Sequence, residues 1–410
     1  GRQPGPGAAP GRRGGRAGGL GPCSGKEEES QGEAREGPSW HAGSVPAGGE
    51  AGAGAGPIPS GMSAETMKEG AAPEAATIRY RVRLLRAGEF RLDGGSMFGL
   101  IPRVVWSRAC PPDEKGRIPV QHNCLLLERV DDPTPERVAG TAMRGSPKLI
   151  LIETGTGNKL DEKSRGIFAL TPRWIGDALQ EAGVRAEDVE LVTTTHLHFD
   201  HAGGLTRLAT AGEKPDWTGP ASCFSGERGD HGVKLTFPNA TIVTQARELS
   251  DALANRSVMT KTYFPDHLQP LVDRVRTIDS PRPFVTGAIP DKGEMPRLSL
   301  EQRMTEIVPG LYAFLTPGHT WGQQALLFHD EKGRAVVFTP DVMPTAWHNG
   351  LAYSLSYDVE PYTSMISRQW FLTEAAARGW VLVLDHEPGN PVRRVVRNDK
   401  GWFDLPEDSL

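Results

Sequence analysis

Apolar positions along the chain fall into short runs separated by Gly, Pro and charged clusters, and most of the runs have the period of a strand. Ile78-Arg79-Tyr80-Arg81-Val82-Arg83-Leu84-Leu85 alternates and reads as a first strand. Asp93-Gly94-Gly95 signals a turn, and the apolar stretch from Met97 to Trp106 that follows it is expected near the mouth of a site. Asn123 to Glu128 and Leu149 to Ile152 read as short buried strands, the second ended by a tight turn at Glu153-Thr154-Gly155. Thr171-Pro172 opens a helix to about Ala182, with Pro172 in its first turn and Gly183 closing it. Further strands are expected at Glu190 to Thr194, Asn239 to Thr244, Val308 to Leu315, Gln324 to Phe328, Ala335 to Phe338 and Trp380 to Leu384. Helices are expected at Ala246 to Asn255 and at Tyr362 to Arg378, the latter stopped by Gly379. Strands interleaved with helices predict a layered α/β architecture.

Three stretches break this pattern. Residues 1–75 are crowded with Gly, Ala, Pro and Arg and carry the charged patch Lys26-Glu27-Glu28-Glu29. Their apolar content is too low to offset the entropy of ordering, so they read as a disordered leader ahead of one folded domain, residues 76–410. Arg12, Arg13 and Arg16 hint at a targeting peptide, but no apolar core follows them. Met62 and Met67 are candidate natural starts. Residues 211–237 are rich in Gly and Pro without a clean period and read as an insertion close to the site entrance; His231 within it is expected to be solvated. Ser280 to Arg297 reads as a long loop.

The candidate chemistry sits at Thr195-His196-Leu197-His198-Phe199-Asp200-His201-Ala202-Gly203-Gly204, directly after a buried strand. Three imidazoles and a carboxylate within six positions are ligands suited to zinc and similar divalent ions. In extended backbone His196 and His198 share a face and can hold one ion. Asp200 and His201 follow the turn and can reach a second. The remaining candidates again follow apolar strands: His319 in Thr316-Pro317-Gly318-His319-Thr320, Asp341 in Phe338-Thr339-Pro340-Asp341, and His386 in Leu384-Asp385-His386-Glu387-Pro388.

His-x-His-x-Asp-His resembles the signature of the metallo-β-lactamase superfamily. The gaps of 22 positions from His319 to Asp341 and 45 from Asp341 to His386 are similar to those of its branch of acyl-homoserine lactone lactonases and methyl-parathion-type hydrolases. The resemblance implies a four-layer αββα sandwich. It also implies a dinuclear site in which His196, His198 and His319 hold one ion, Asp200, His201 and His386 the other, and Asp341 bridges them. The ions would be zinc, or other divalent ions such as Mn, Co or Fe. A hydroxide shared by the ions would attack an ester or lactone, with Asp200 carrying a proton to the leaving oxygen. The superfamily usually has Asp where Glu153 stands. Homoserine-lactone lactonases usually have a substrate-contacting Tyr three positions past the bridging Asp, here Pro344; Tyr353 and Tyr357 are candidate substitutes. Pro344-Thr345-x-x-His348 resembles a pattern in lactonase-like relatives, which makes His348 a candidate for touching substrate or the groups behind the ligands. His122 and His329 are read as surface or core residues and His267 as exposed.

Composition narrows the partners. A net charge of −5 argues against a nucleic-acid or anionic-membrane partner, and no apolar run approaches the roughly 20 residues that span a bilayer. Cys23, Cys110, Cys124 and Cys223 are widely spaced and suggest neither a cysteine zinc site nor a disulfide framework, which fits the cytoplasm. A homodimer stays open, as do substrate identity, the native metal and three other activities. These are phosphotriester or aryl-ester hydrolysis, mononuclear iron persulfide oxygenation, and non-catalytic metal binding.

Overall fold

The computed structural model describes Gly1 and residues 78–130, 147–224, 226, 228–259, 261–285 and 290–410. The expectations for the leader, for Met62 and Met67 and for Cys23 lie outside the described residues. Contacts divide the chain into a unit of residues 1–70 and a unit of residues 71–410. Among the described residues, every strand and helix belongs to the second unit.

The chain first supplies strands β1 (Tyr80–Asp93), β2 (Arg117–Arg129), β3 (Leu149–Ile152) and β4 (Leu191–Thr193). Three short strands come next, β5 (Thr206–Leu208), β6 (Trp217–Pro220) and β7 (Asp230–Leu235), then β8 (Thr241–Gln245) and β9 (Val275–Ile278). The later residues give β10 (Thr305–Val308), β11 (Leu311–Leu315), β12 (Gln324–His329), β13 (Ala335–Thr339), β14 (Val381–Leu384) and β15 (Val392–Arg394). Two six-stranded sheets result, ordered β1-β2-β3-β4-β8-β9 and β10-β11-β12-β13-β14-β15.

Period-two alternation explains how the sheets stack. Leu125, Leu127, Ile150 and Ile152 point into a core shared with Leu326, Phe328, Val336, Phe338, Val381 and Val383 of the other sheet. Their neighbours Leu126 and Leu151 face outward onto Ile175, Ala178 and Leu179. On the far side Leu327, Val337, Leu382 and Leu384 face Ile366, Trp370 and Phe371 of the helix Pro361–Arg378. Each central strand is therefore apolar on both faces, which is why it reads as a continuous buried run. The layers are helix, sheet, sheet, helix.

Several elements depart from the sequence expectation. β1 continues to Asp93 across a register shift between Arg86 and Glu89. The helix expected from Thr171 begins only at Ile175. Thr171 is held by β1 instead: its N–H donates to Glu89 O at 2.9 Å and its Oγ1 accepts from Glu89 N–H at 3.0 Å. The 211–237 stretch contributes β6 and β7, which pair with β5 in a three-stranded sheet ordered β5-β7-β6. Pro220 is tolerated there because β6 is an edge. Asp93 caps a short helix Gly94–Phe98, accepting from Ser96 N–H at 2.7 Å. Among the described residues Cys110, Cys124 and Cys223 form no disulfide, and no helix is long and apolar enough to cross a membrane.

The sheets are tied together at both ends of their strands, by Tyr80 at one end and by Gln324 and Asn123 at the other. The Tyr80 hydroxyl donates to Pro309 O at 2.7 Å in the buried core. Gln324 N–H donates to Thr195 O at 2.9 Å, and Asn123 Nδ2 donates to Leu384 O at 2.8 Å and Glu387 O at 2.9 Å. Tyr80→Phe leaves the Pro309 carbonyl without its partner and is expected to lower unfolding free energy by about 1–3 kcal/mol. A urea midpoint shifted down at unchanged slope checks this.

Candidate metal centre

β4, β13 and β14 all end at the edge tied by Gln324 and Asn123, and the chain delivers a polar residue just past each end. His196 and His198 follow β4; Asp200 and His201 lie on the single turn Phe199–Ala202 that comes next. This turn packs against the Thr154–Thr156 backbone so closely that a Cβ on Gly203 would fall 2.2 Å from Thr156 O. Asp341 follows β13, His386 follows β14, and His319 lies in the connection from β11 to β12. All seven residues predicted from the sequence are buried, Asp200 the least so at 8% exposed.

They converge into two abutting groups. Ligand atoms of His196, His198 and His319 lie within 4.8 Å of one another, and so do those of His201, Asp341, Asp385 and His386. His319 Nε2 is 2.9 Å from His198 Nδ1, and His386 Nε2 is 3.2 Å from His201 Nε2. Asp341 stands between the groups, with Oδ2 3.2 Å from His319 Nε2 and Oδ1 3.4 Å from His386 Nε2. Asp200 flanks the second group, its Oδ1 3.8 Å from His201 Nε2 and its Oδ2 3.7 Å from His386 Nε2. Asp385 was not singled out from the sequence, although it directly precedes His386.

The donor set fits divalent cations. His196 Nε2, His198 Nε2, Asp341 Oδ1 and both Asp385 carboxylate oxygens are buried without a hydrogen-bond partner. Burial of unpaired polar atoms is costly, and burial of unpaired charge more so. Burial, reinforced by the neighbouring imidazoles, pushes His196 and His198 well below the ordinary histidine range. Both are therefore neutral, the form that offers a lone pair to a metal.

Residues behind the ligands orient them. His319 Nδ1–H donates to Asp358 Oδ1 at 2.8 Å and His386 Nδ1–H to Gln121 O at 3.0 Å, which leaves each Nε2 facing the centre. Glu153, where relatives usually carry Asp, sits at φ 67°. Its Oε1 accepts Thr195 N–H at 2.6 Å and its Oε2 lies 3.4 Å from His201 Nδ1. Nothing adjacent in the sequence marks Asp358 as a histidine partner.

His348 has no place in this centre. Its Nδ1 pairs with Thr345 Oγ1 at 2.8 Å, its Nε2–H donates to Met97 O at 2.9 Å, and its ring stacks on Phe98. With both nitrogens engaged, it ties two segments together. His231 and His267 also differ from expectation. His231 Nε2–H donates to Asp266 Oδ2 at 2.8 Å, and His267 is buried against Ser222 Oγ at 2.9 Å. The fixed negative charge of Asp266 draws His231 inward. Of the candidate tyrosines, Tyr357 packs its ring 5.8 Å from that of His319, whereas Tyr353 packs on Phe98 and His348.

A cavity of about 150 Å³ opens onto the centre. Its lining joins His198, Asp200, His319, Asp341 and Tyr357 to the polar Asp93, Ser96 and Thr262 and to an apolar set of Leu92, Phe168, Phe199, Phe224 and Met259. Phe224, from the 211–237 stretch, is part of this lining. A larger groove of about 600 Å³ beside Trp321 and Tyr362 contains none of the seven residues.

A family profile described as the metallo-β-lactamase superfamily matches residues 134–332. That span, a little under half of the chain, resembles the metallo-β-lactamase superfamily. The matched span includes five of the seven residues and stops short of Asp341 and His386, which the fold brings to the same place. Among characterised relatives, the N-acyl homoserine lactonase of a Bacillus species is 24% identical over 248 residues, spanning 60% of this chain and 73% of that protein. The N-acyl homoserine lactonase of Bacillus thuringiensis is 22% identical over 266 residues, 65% and 76% of the two chains. A probable metal-dependent hydrolase from Staphylococcus aureus superimposes with a TM-score of 0.59 at 21% identity, covering 82% of this chain and all of that one. AidC, a dizinc quorum-quenching lactonase solved with a product, gives 0.53 at 17% identity over 82% and 99%. At these identities the two structures establish a shared fold.

Removing the Asp358 carboxylate frees the His319 ring. Asp358→Ala is expected to weaken metal binding by roughly 10–100-fold, read by competition with a chromogenic chelator.

Proposed function

We propose that this chain is a dinuclear metal-dependent hydrolase that opens lactones. The observation that carries the reading is Asp341, which reaches both histidine groups: its Oδ2 lies 3.2 Å from His319 Nε2 and 3.8 Å from His201 Nε2, and its Oδ1 lies 3.4 Å from His386 Nε2. A carboxylate so positioned suits a bridge between two ions, and two complete groups of candidate ligands favour a dinuclear site over a mononuclear iron centre. In this proposal His196, His198 and His319 hold one ion. His201, His386 and Asp200 hold the other, with Asp385 close by, and Asp341 serves both. Zinc suits the imidazole-rich set. When bound, such a pair supplies water of lowered pKa and an electrophile for the carbonyl oxygen of the substrate.

The protein's own groups do the rest. The apolar wall of Phe168, Phe199, Phe224 and Met259 excludes bulk water and accepts the non-polar part of a substrate. Asp200 lines the cavity beside both histidines of the second group, in reach of a proton on one side and a departing alkoxide on the other. It accepts the proton released on attack and returns it to the ring oxygen as that bond breaks. Tyr357, which lines the same cavity beside His319, is positioned to contact the substrate where lactonases use a tyrosine nearer the bridging aspartate. The lactone assignment draws on the relatives, whose names describe N-acyl homoserine lactone hydrolysis.

Metal quantification coupled to a panel of lactones, phosphotriesters and aryl esters tests the reading. Two ions per chain with lactones turned over best is the expected result. Two ions with phosphotriesters preferred would replace the substrate and keep the chemistry. Asp200→Asn is expected to cut kcat by roughly 10²–10⁴-fold at retained metal content; full turnover would remove Asp200 from the proton path.

A further inference from the structure

Glu248 lies on the helix Ala246–Leu253, which follows β8, and its side chain is wholly buried. No arginine or lysine neutralises it among the ion pairs of the described residues. Its partners are three neutral donors. Oε1 accepts Leu197 N–H at 2.9 Å and the Tyr263 hydroxyl at 3.2 Å, and Oε2 accepts the Thr320 hydroxyl at 2.6 Å. A carboxylate kept in the interior on hydrogen bonds alone is costly unless its bonds matter to the folded arrangement.

Those donors share a destination. Leu197 stands between His196 and His198, and Thr320 directly follows His319. The Tyr263 ring packs 5.0 Å from that of His198. One carboxylate thus fastens every segment that carries the three-histidine group. The other group is supported by Gln121 behind His386 and by Glu153, which lies beside His201 and also accepts the Thr195 amide; Glu248 touches neither of its histidines. The helix comes close enough that a Cβ on Gly322 would fall 2.5 Å from Glu248 N. The preceding residue adds a second grip, with the Arg247 guanidinium 4.9 Å above the Trp321 ring.

We infer that Glu248 is a positioning residue that joins the His196–His198 loop to the His319 loop, and so sets the affinity of the three-histidine group selectively. This rests on the proposed two-ion reading. The test is a cobalt(II) titration of metal-free full-length protein, followed by visible absorption and metal content. His386→Ala and His319→Ala, each lacking a ligand of one group, assign the two binding steps. Wild type is expected to bind two ions. Glu248→Ala is expected to weaken the three-histidine step by roughly 10–100-fold and leave the other step within about twofold. Glu248→Gln should recover most of the loss, because it keeps an acceptor for Leu197 N–H and the Thr320 hydroxyl can reverse to accept from the amide. Thr320→Val cuts one arm only and should give a smaller loss at the same step, which decides the matter if Glu248→Ala fails to fold. Equal weakening of both steps, in parallel with a lowered melting temperature, would make Glu248 merely structural and overturn the inference. Two unchanged steps in the alanine variant would overturn it as well. A wild type that binds no ion would instead overturn the two-ion reading itself.

Discussion

The molecule is governed by a desolvation problem. Five imidazoles and three carboxylates are buried at one sheet edge, with ring nitrogens facing each other and carboxylate oxygens lacking any donor. An interior tolerates such a collection only when a compensating charge accompanies it. In the proposed reading divalent cations would answer the orphaned lone pairs of this edge, one for each of the abutting groups. The site's chemistry and the stability of its surroundings are on this view one interaction.

The sandwich makes that concentration possible. Strands apolar on both faces bury a double core, and their rigid ends carry the ligands, so little ordering is left for the loops to supply. Parallel pairing of β3 with β4 and of β13 with β14 brings the outgoing ends to the same edge. The polar residues behind the ligands then convert approximate placement into ring orientation. Glu153 steadies the turn with His201, Asp358 sets the His319 ring, and Gln121 does the same for His386. Glu248 couples the two loops that a single strand end cannot align.

Much of this was legible in the residues. The short apolar runs mark β2, β3, β4, β13 and β14 because both faces of those strands are buried. The first ligands declare themselves because four fall within one strand–turn unit. The supports stayed hidden because their partners are distant in sequence: Asp358 lies 39 positions from His319 and Glu153 lies 42 from Thr195. A solitary acid gives no local sign that it will be buried. The same blindness explains His231 and His267, which look like solvated loop residues until Asp266 gathers them. At Thr171-Pro172 a valid helix-start signal lost to pairing with β1. In residues 211–237 the Gly and Pro that suggested irregular chain instead lie in and around two strands, the edge strand β6 and the central strand β7.

The most direct measurement is anomalous X-ray scattering from crystals of the metal-loaded protein, collected at the absorption edge of the bound element. The account predicts two peaks per chain. One should be enclosed by His196, His198 and His319, the other by His201 and His386, with Asp341 between them. A single peak, or a pair of peaks away from Asp341, would contradict it.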